Sequence, residues 1–325
     1  MGRRWRALSW EAWLSIAVAS VIIAFAVTVE GFLKPASALS ISRLVAFLGI
    51  LAVGQALVVA AGGIDLSVGS IYGFAGAILY MLNYFGYGFG VTLFAGLGVG
   101  IAVGLVNGLI VTKLRFMPFI ATFGTMCIVR AVSILMREGS LGLEAHAVTG
   151  TLWTYLARGH SPLYLPPSFF ILVGLAVGAW LLLKYTRFGL WAYGTGGNLT
   201  AARAVGIPID KVRILTYVIS GALAGVAGML GVGSAEGVRT WDGAGMELTS
   251  LAAVIIGGAS LAGGSASILG TLLAVLLFSV IRLGVAIMGL PLYWQQVITA
   301  LMVLLALVLT RFSLRGGIAG KGLTT

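Results

Sequence analysis

The chain has 325 residues, 60% of them hydrophobic and 9% charged, with a formal net charge of +11. Soluble domains carry about a quarter charged residues, so a mean hydropathy of +1.09 excludes a water-surrounded core and makes lipid the main solvent. A single cysteine, Cys127, excludes a disulfide framework or a thiolate metal site, and basic residues scattered between apolar runs read as orientation signals rather than a nucleic-acid surface.

The opening MGRRWRALSWEAW has the basic flank of a signal peptide. The apolar run from Leu14 to Val29 has no small-residue cleavage site before the next span, so it is expected to stay as a first span. Runs of about 20 apolar residues cross the hydrocarbon core as helices. Ten are expected, at 12–32, 43–61, 66–83, 89–112, 117–137, 166–184, 212–232, 248–262, 266–288 and 292–310. The eighth is short and glycine-rich, and hardly a loop separates the second from the third. With the N-terminus inside, thirteen of the 20 Lys and Arg fall on the cytoplasmic side. Five, Lys34, Arg43, Arg137, Arg158 and Arg239, fall outside, and Arg130 and Arg282 lie within spans. That bias predicts an even number of spans with both termini cytoplasmic. The expected fold is therefore all-α, one polytopic membrane domain over 1–325 with about ten transmembrane helices.

Two connections are long enough to carry a role. The outer one, 138–165, holds both histidines, His146 and His160, fourteen residues apart with no third ligand at a fixed spacing, so it reads as a surface loop and not a metal site. Its Trp153, Tyr155 and Tyr164 read as interfacial aromatics or part of a docking surface. The inner one, 185–211, contains helix punctuation. Asn198 is a good N-cap, Leu199 to Val205 a short helical run, Gly206 a C-terminal cap, and Pro208 a stop. This predicts a stub of about two turns beyond a glycine hinge at Gly194, Gly196 and Gly197. A helix that short is marginal alone and needs either its own membrane domain or a partner.

The 48 glycines suit close approach of helices in lipid. Gly96, Gly100, Gly104 and Gly108 recur every four residues, as do Gly69, Gly73 and Ala77, and Gly221, Gly225 and Met229, and these are expected to be packing seams. Polar residues within spans are Gln55, Asp65, Asn107, Thr122, Thr125, Arg130, Thr249 and Arg282. Such residues face a bundle interior or a cavity. Gln55, Asp65, Asn107, Thr122, Thr249 and Arg282 are candidates for a translocation pathway suited to a neutral, hydroxyl-bearing solute. Asp65, between Gly63 and Leu66, is placed to cap the third span through the amides of Ser67 or Val68, at a break where irregular backbone survives only inside protein or beside water. A path-lining or gating role at that broken helix is the alternative. Asp65→Asn separates the two, because a cap tolerates it and a charge-dependent role does not.

Three blocks, GGIDLSVGS at 62–70, GTGGNLTAARAVGIPIDKVR at 194–213 and ELTSLAAVIIGGASLAGGSASILGTLLAV at 247–275, with PFIATFGTM at 118–126, make the chain resemble the permease subunit of a bacterial ribose-type monosaccharide ABC importer over about 40–310. The resemblance implies a bacterial inner-membrane protein that pairs as a homodimer or heterodimer of ten-helix permeases. It further implies a cytosolic ATPase that binds ATP and magnesium, and a soluble periplasmic or lipid-anchored sugar-binding protein. The stub then resembles a coupling helix, with Gly194, Asn198, Ala202, Arg203 and Gly206 as its residues. No cofactor is expected on this chain. RGGIAGKG at 315–322 misses the first glycine and the Ser/Thr of a phosphate loop, so ATP is hydrolysed by another chain or not used at all. At 278–287 the relatives carry asparagines where this chain has Arg282 and apolar neighbours. Arg282 is therefore open to pairing with a carboxylate or to meeting a substrate. The rival reading is an ion-gradient-driven secondary transporter, which needs embedded carboxylate relays, and only Asp65 is expected to lie deep.

Overall fold

The computed structural model describes residues 9–139, 151–159, 165–235 and 242–291, with Trp294, Val297, Ile298, Ala300, Leu301 and Leu304. Every regular element among them is a helix: α1 (Trp10–Thr28), α2 (Pro35–Ala60), α3 (Val68–Tyr84), α4 (Phe89–Thr112), α5 (Pro118–Gly139), α6 (Leu152–Arg158), α7 (Pro167–Tyr185), α8 (Arg187–Gly197), α9 (Leu199–Ala204), α10 (Ile209–Ala235), α11 (Met246–Ile256) and α12 (Ile268–Ile287). Seven are long and apolar enough to cross a membrane: α1, α2, α4, α5, α7, α10 and α12. The starts follow local chemistry. Ser9 accepts from the Ala12 amide and Ser267 from the Gly270 amide, whereas α2 and α7 begin on prolines whose missing N–H costs nothing there.

The helices are arranged around α2, whose residues 45–60 are buried without a break, while α1 buries only Leu14 and Val18. α10 packs against α2, α3 and α4, and α12 against α1, α2 and α11. The seam between α4 and α10 is the glycine ladder read from the sequence. A Cβ at Gly100 would collide with the Gly221 carbonyl, and one at Gly104 with the Tyr217 carbonyl. Gly225 lies against the Gly96 carbonyl, at 2.6 Å from the position of its absent Cβ. Backbones touch at these positions because glycine presents no side chain there, while at Gly96 the missing Cβ makes room for the Met229 side chain, which is how small residues supply packing in lipid.

Nine of the ten expected spans coincide with a helix, and 292–310 falls largely outside the described residues. Two differ in form. The second and third are separated by a real break, 61–67, whose Asp65, Leu66 and Ser67 are buried. The eighth is helical only in part. α11 has 11 residues, about 16 Å at 1.5 Å per residue, roughly half of what a bilayer requires. Gly257 and Gly258, the latter at φ +96°, stop it, and 257–267 continues as a loop.

The inner connection also differs from expectation. Gly194, Gly196 and Gly197 are not a hinge but the last turn of a helix, α8, capped by Thr186 through the Gly189 amide at 3.4 Å. Gly196 is small because the chain crosses there: a Cβ would strike the Ala60 carbonyl and the Gly264 amide. The Gly264 amide donates to the Ala60 carbonyl at 3.1 Å, and the Tyr193 hydroxyl to the Ala266 carbonyl at 3.1 Å. Burial pushes the Tyr193 phenol above its ordinary value, so it remains a donor at neutral pH. On the same side, α1 is tied to the end of the chain. Trp10 Nε1 donates to the Ile256 carbonyl at 2.7 Å, and Ser267 Oγ to Glu11 Oε1 at 3.2 Å.

Trp153, expected at an interface, is a core anchor. It is buried on α6, donates through Nε1 to Thr92 Oγ1 at 2.8 Å, and lies 4.8 Å from the Phe89 ring. Tyr155 is exposed, while His146, His160 and Tyr164 lie outside the described residues.

Candidate functional site: a broken helix held by a polar network

Ending α2 at Ala60 and starting α3 at Val68 inside the bundle leaves the backbone groups of 61–67 in a low-dielectric interior, where each unpaired one is costly. Gly62, at φ +74°, turns the chain out of α2, a conformation that glycine adopts without steric penalty. Side chains from three helices then satisfy the exposed carbonyls. Gln55 of α2 donates through Nε2 to the Asp65 carbonyl at 2.5 Å. Tyr217 of α10 and Thr122 of α5 each donate to the Ile64 carbonyl at 3.2 Å.

Asp65 binds the other end of the break. Its Oδ1 accepts from the Ser67 amide at 3.0 Å and the Ser67 hydroxyl at 2.6 Å, and its Oδ2 accepts from Ser220 Oγ of α10 at 3.0 Å. The helix itself starts one step later, at Val68 with Ser67 as the N-cap residue. Asp65 thus fixes the turn leading into α3 through the predicted Ser67 amide rather than sitting at the N-cap. The chain of hydrogen bonds continues outward. Asn107 of α4 donates through Nδ2 to Ser67 Oγ at 2.8 Å, and its Oδ1 accepts from Thr125 of α5 at 2.6 Å. Gln55, Asp65, Ser67, Asn107 and Thr122 are all fully buried. Gln55 Oε1 alone among these atoms has no protein partner.

Four of the sequence-predicted pathway residues, Gln55, Asp65, Asn107 and Thr122, therefore meet around one break. Thr249 is not part of this network and donates to its own helix at Gly245 O, 2.8 Å away. Arg282 is exposed on α12, within electrostatic reach of Tyr72. Among the described residues, a partly buried arginine–carboxylate pair is made by Arg130. Arg130 Nη2 lies 3.2 Å from both Oε1 and Oε2 of Glu247, and the Gly245 amide donates to Glu247 Oε1 at 3.2 Å. Asp65 is consequently not the only deep carboxylate. A full span over 248–262 would put Glu247 at a membrane surface; because α11 is only half that long, its first turn sits inside the bundle instead.

At the opposite end, α9 carries the other candidate residues. Asn198 Oδ1 caps it, accepting from the Ala201 amide at 3.0 Å. Gly206, at φ +78°, closes it: its amide donates to the Arg203 carbonyl at 3.1 Å and the Ile207 amide to the Ala202 carbonyl at 3.0 Å. This is a Schellman-type closure. Ala202 is buried and Arg203 exposed. Leu199 and Val205 expose 41% and 76% of their surfaces, so α9 presents two apolar side chains with no cover. Gly194 sits under Ile207, where a Cβ would lie 3.1 Å from the Ile207 Cδ1. The preceding helix, α8, is not anticipated by the sequence reading, although Gly189, Ala192 and Thr195, its buried residues, recur at a helical spacing of three.

A multi-helix membrane body with a broken helix sealed by hydroxyl and amide groups defines the class: a polytopic transport protein. Residues 37–307 match the family of permease components of branched-chain amino acid transport systems, and the chain belongs to that family. It is similar to the ribose import permease protein RbsC of Escherichia coli K12, 36% identical over 80% of each chain. It is also similar to the ribose import permease RbsC of Bacillus subtilis 168, 32% identical over 90% of this chain and 89% of that one. The galactofuranose transporter permease YtfT of Escherichia coli K12 is 34% identical over 80% of this chain and 75% of the relative.

Proposed function

We propose that the chain is the membrane-spanning permease subunit of an importer that translocates a monosaccharide or similar small polyol. In this reading a soluble or lipid-anchored binding protein delivers the sugar to a permease homodimer or heterodimer in the bacterial inner membrane. A separate cytosolic subunit binds and hydrolyses ATP with magnesium. The observation that carries the reading is similarity to sugar permeases across most of the helical body. The reading includes ten spans with both termini in the cytoplasm, as the distribution of Lys and Arg suggests.

In the same reading α9 is the coupling helix. Leu199, Val205 and Arg203 enter the ATPase subunit, while Asn198, Ala202 and Gly206 hold the shape and Gly194 seats Ile207. Movement of α9 reaches the pathway through α8, because Gly196 is wedged against Ala60 and Gly264 beside the break that leads to Asp65. The Gln55, Asp65, Asn107 and Thr122 network is the closed state of the inner pathway, and Thr249 and Arg282 flank it. The ion-gradient alternative is weaker. The two deep carboxylates among the described residues are engaged, Asp65 by serines and Glu247 by an arginine, and a relay needs a carboxylate that exchanges its proton freely.

The test is uptake of radiolabelled ribose and other monosaccharides into proteoliposomes holding the permease, its ATPase and its binding protein. Arg203→Glu and Gly206→Pro are expected to lower ATP-driven uptake at least tenfold with membrane insertion intact. Proline cannot adopt φ +78° and lacks the amide that Gly206 donates to Arg203. Accumulation by the permease alone, driven by a proton or sodium gradient without ATP, would establish the alternative.

A further inference from the structure

The Arg130–Glu247 pair stands apart from the network. Arg130 is twelve residues into α5, about 18 Å along its axis, and Glu247 lies in the first turn of α11. Both helices pack against α3 and hardly touch each other. The pair bridges them across the first turn of α3, where a Cβ at Gly69 would collide with the Glu247 carboxylate. The far end of α11 meets Trp10 and the first turn of α12, so its beginning, and the ion pair with it, lies well inside the bilayer.

The two sides of the pair differ. The Glu247 side chain is 7% exposed and the Arg130 side chain 23%. Cys127, three residues before Arg130 and on the same side of α5, is exposed, as is Phe123. A guanidinium at this depth does not face hydrocarbon; it faces protein or water. The network residues around Asp65 are sealed, whereas the pair joins a partly exposed donor, Arg130, to the Glu247 acceptor.

We infer that Arg130 and Glu247 form a polyol contact in the translocation pathway, which runs along the α5 face bearing Cys127. The inference rests on the sugar-permease reading. A hydroxyl group both donates and accepts, so one sugar hydroxyl donates a hydrogen bond to Glu247 while another accepts from Arg130. The incoming hydroxyls replace hydrogen bonds that the pair makes with itself. Charge-assisted bonds are exchanged for others of similar strength, and the sugar is recognised without being held. Gly69 keeps the floor of this contact free of side chain.

Because Cys127 is the only cysteine in the chain, the wild-type protein carries its own probe. The permease is assembled with its ATPase in nanodiscs and treated with a charged, membrane-impermeant methanethiosulfonate, with and without ATP and vanadate. Labelling of Cys127 is expected in at least one nucleotide state. A cysteine that stays unlabelled in every state yet reacts after denaturation in detergent overturns the pathway assignment, whatever the uptake assay reports. The second measurement separates sugar contact from a structural brace. Arg130→Gln and Glu247→Gln are each expected to lower monosaccharide uptake at least tenfold. The exchanged pair, Arg130→Glu with Glu247→Arg, is expected to restore thermal stability without restoring the wild-type ranking of sugars. Wild-type uptake and ranking in the exchanged protein would show a brace and sink the inference. An active complex importing only non-hydroxylated solutes, with Cys127 labelled, would instead overturn the sugar reading and leave the water path along α5.

Discussion

The break at 61–67 and the stub at 198–206 are made of the same parts but are completed differently. Each combines a short polar side chain that captures an amide with a glycine in the left-handed region, Gly62 in one and Gly206 in the other. In the stub, Asn198 and the Gly206 turn satisfy the ends from within the segment itself. In the break, the partners come from α2, α4, α5 and α10, up to 155 residues away. The stub therefore keeps its shape while leaving Leu199 and Val205 outward. The break exists only once the bundle has assembled around it. A self-contained element is free to move as a unit against a partner, and a shared one moves only when several helices move together.

Substitutions at three places, the α4 seam, Asp65 and Val205, probe this contrast. The largest effect is expected where the bundle itself is held. Gly100→Ala places a carbon on the Gly221 carbonyl and is expected to cost about 1–3 kcal/mol or more of stability through overpacking. Gly98→Ala on the same helix meets nothing within 4 Å and should be neutral or slightly stabilising; thermal unfolding in nanodiscs reads the difference. Next comes Asp65. Asp65→Ala strands the Ser67 amide and the Ser67 and Ser220 hydroxyls, at about 1–3 kcal/mol for an unsatisfied buried group. Asp65→Asn keeps an acceptor for Ser67 and should cost about 1 kcal/mol or less, with uptake largely retained. If Asp65→Asn abolishes uptake at normal stability, the carboxylate charge serves more than the turn. The smallest change in stability, within about 0.5 kcal/mol, is expected for Val205→Ser. Its effect should appear in retention of the ATPase subunit on the affinity-purified permease, and unchanged retention would detach α9 from that surface.

Legible in the sequence is what neighbouring residues decide. Asn198, Gly206 and Pro208 specify α9 almost without context, and a glycine every fourth residue from Gly96 to Gly108 marks a seam before its partner is known. The GGID stretch likewise reveals the break. Where the partner is remote, the signal fades. Glu247 acquires meaning only from Arg130, 117 residues earlier, and Trp153 looks like any interfacial aromatic until Thr92 accepts its N–H. The short length of α11 is hidden because apolar content continues through Ile256 to Leu261 while the backbone turns at Gly257. Hydrophobicity reports the solvent, and glycine at positive φ reports the path of the chain.

The ties between α1 and the far end of the chain set a schedule. Trp10 bonds to Ile256 and Ser267 to Glu11, separations of 246 and 256 residues, and α1 packs chiefly on α12. At about 5–20 residues per second of synthesis, the first helix waits roughly 12–50 s for the surface it will occupy. During that interval α1 is an unanchored span beside a growing bundle, and its docking waits for α12. Truncation before α12 would leave the earliest helix, rather than the latest, without a place.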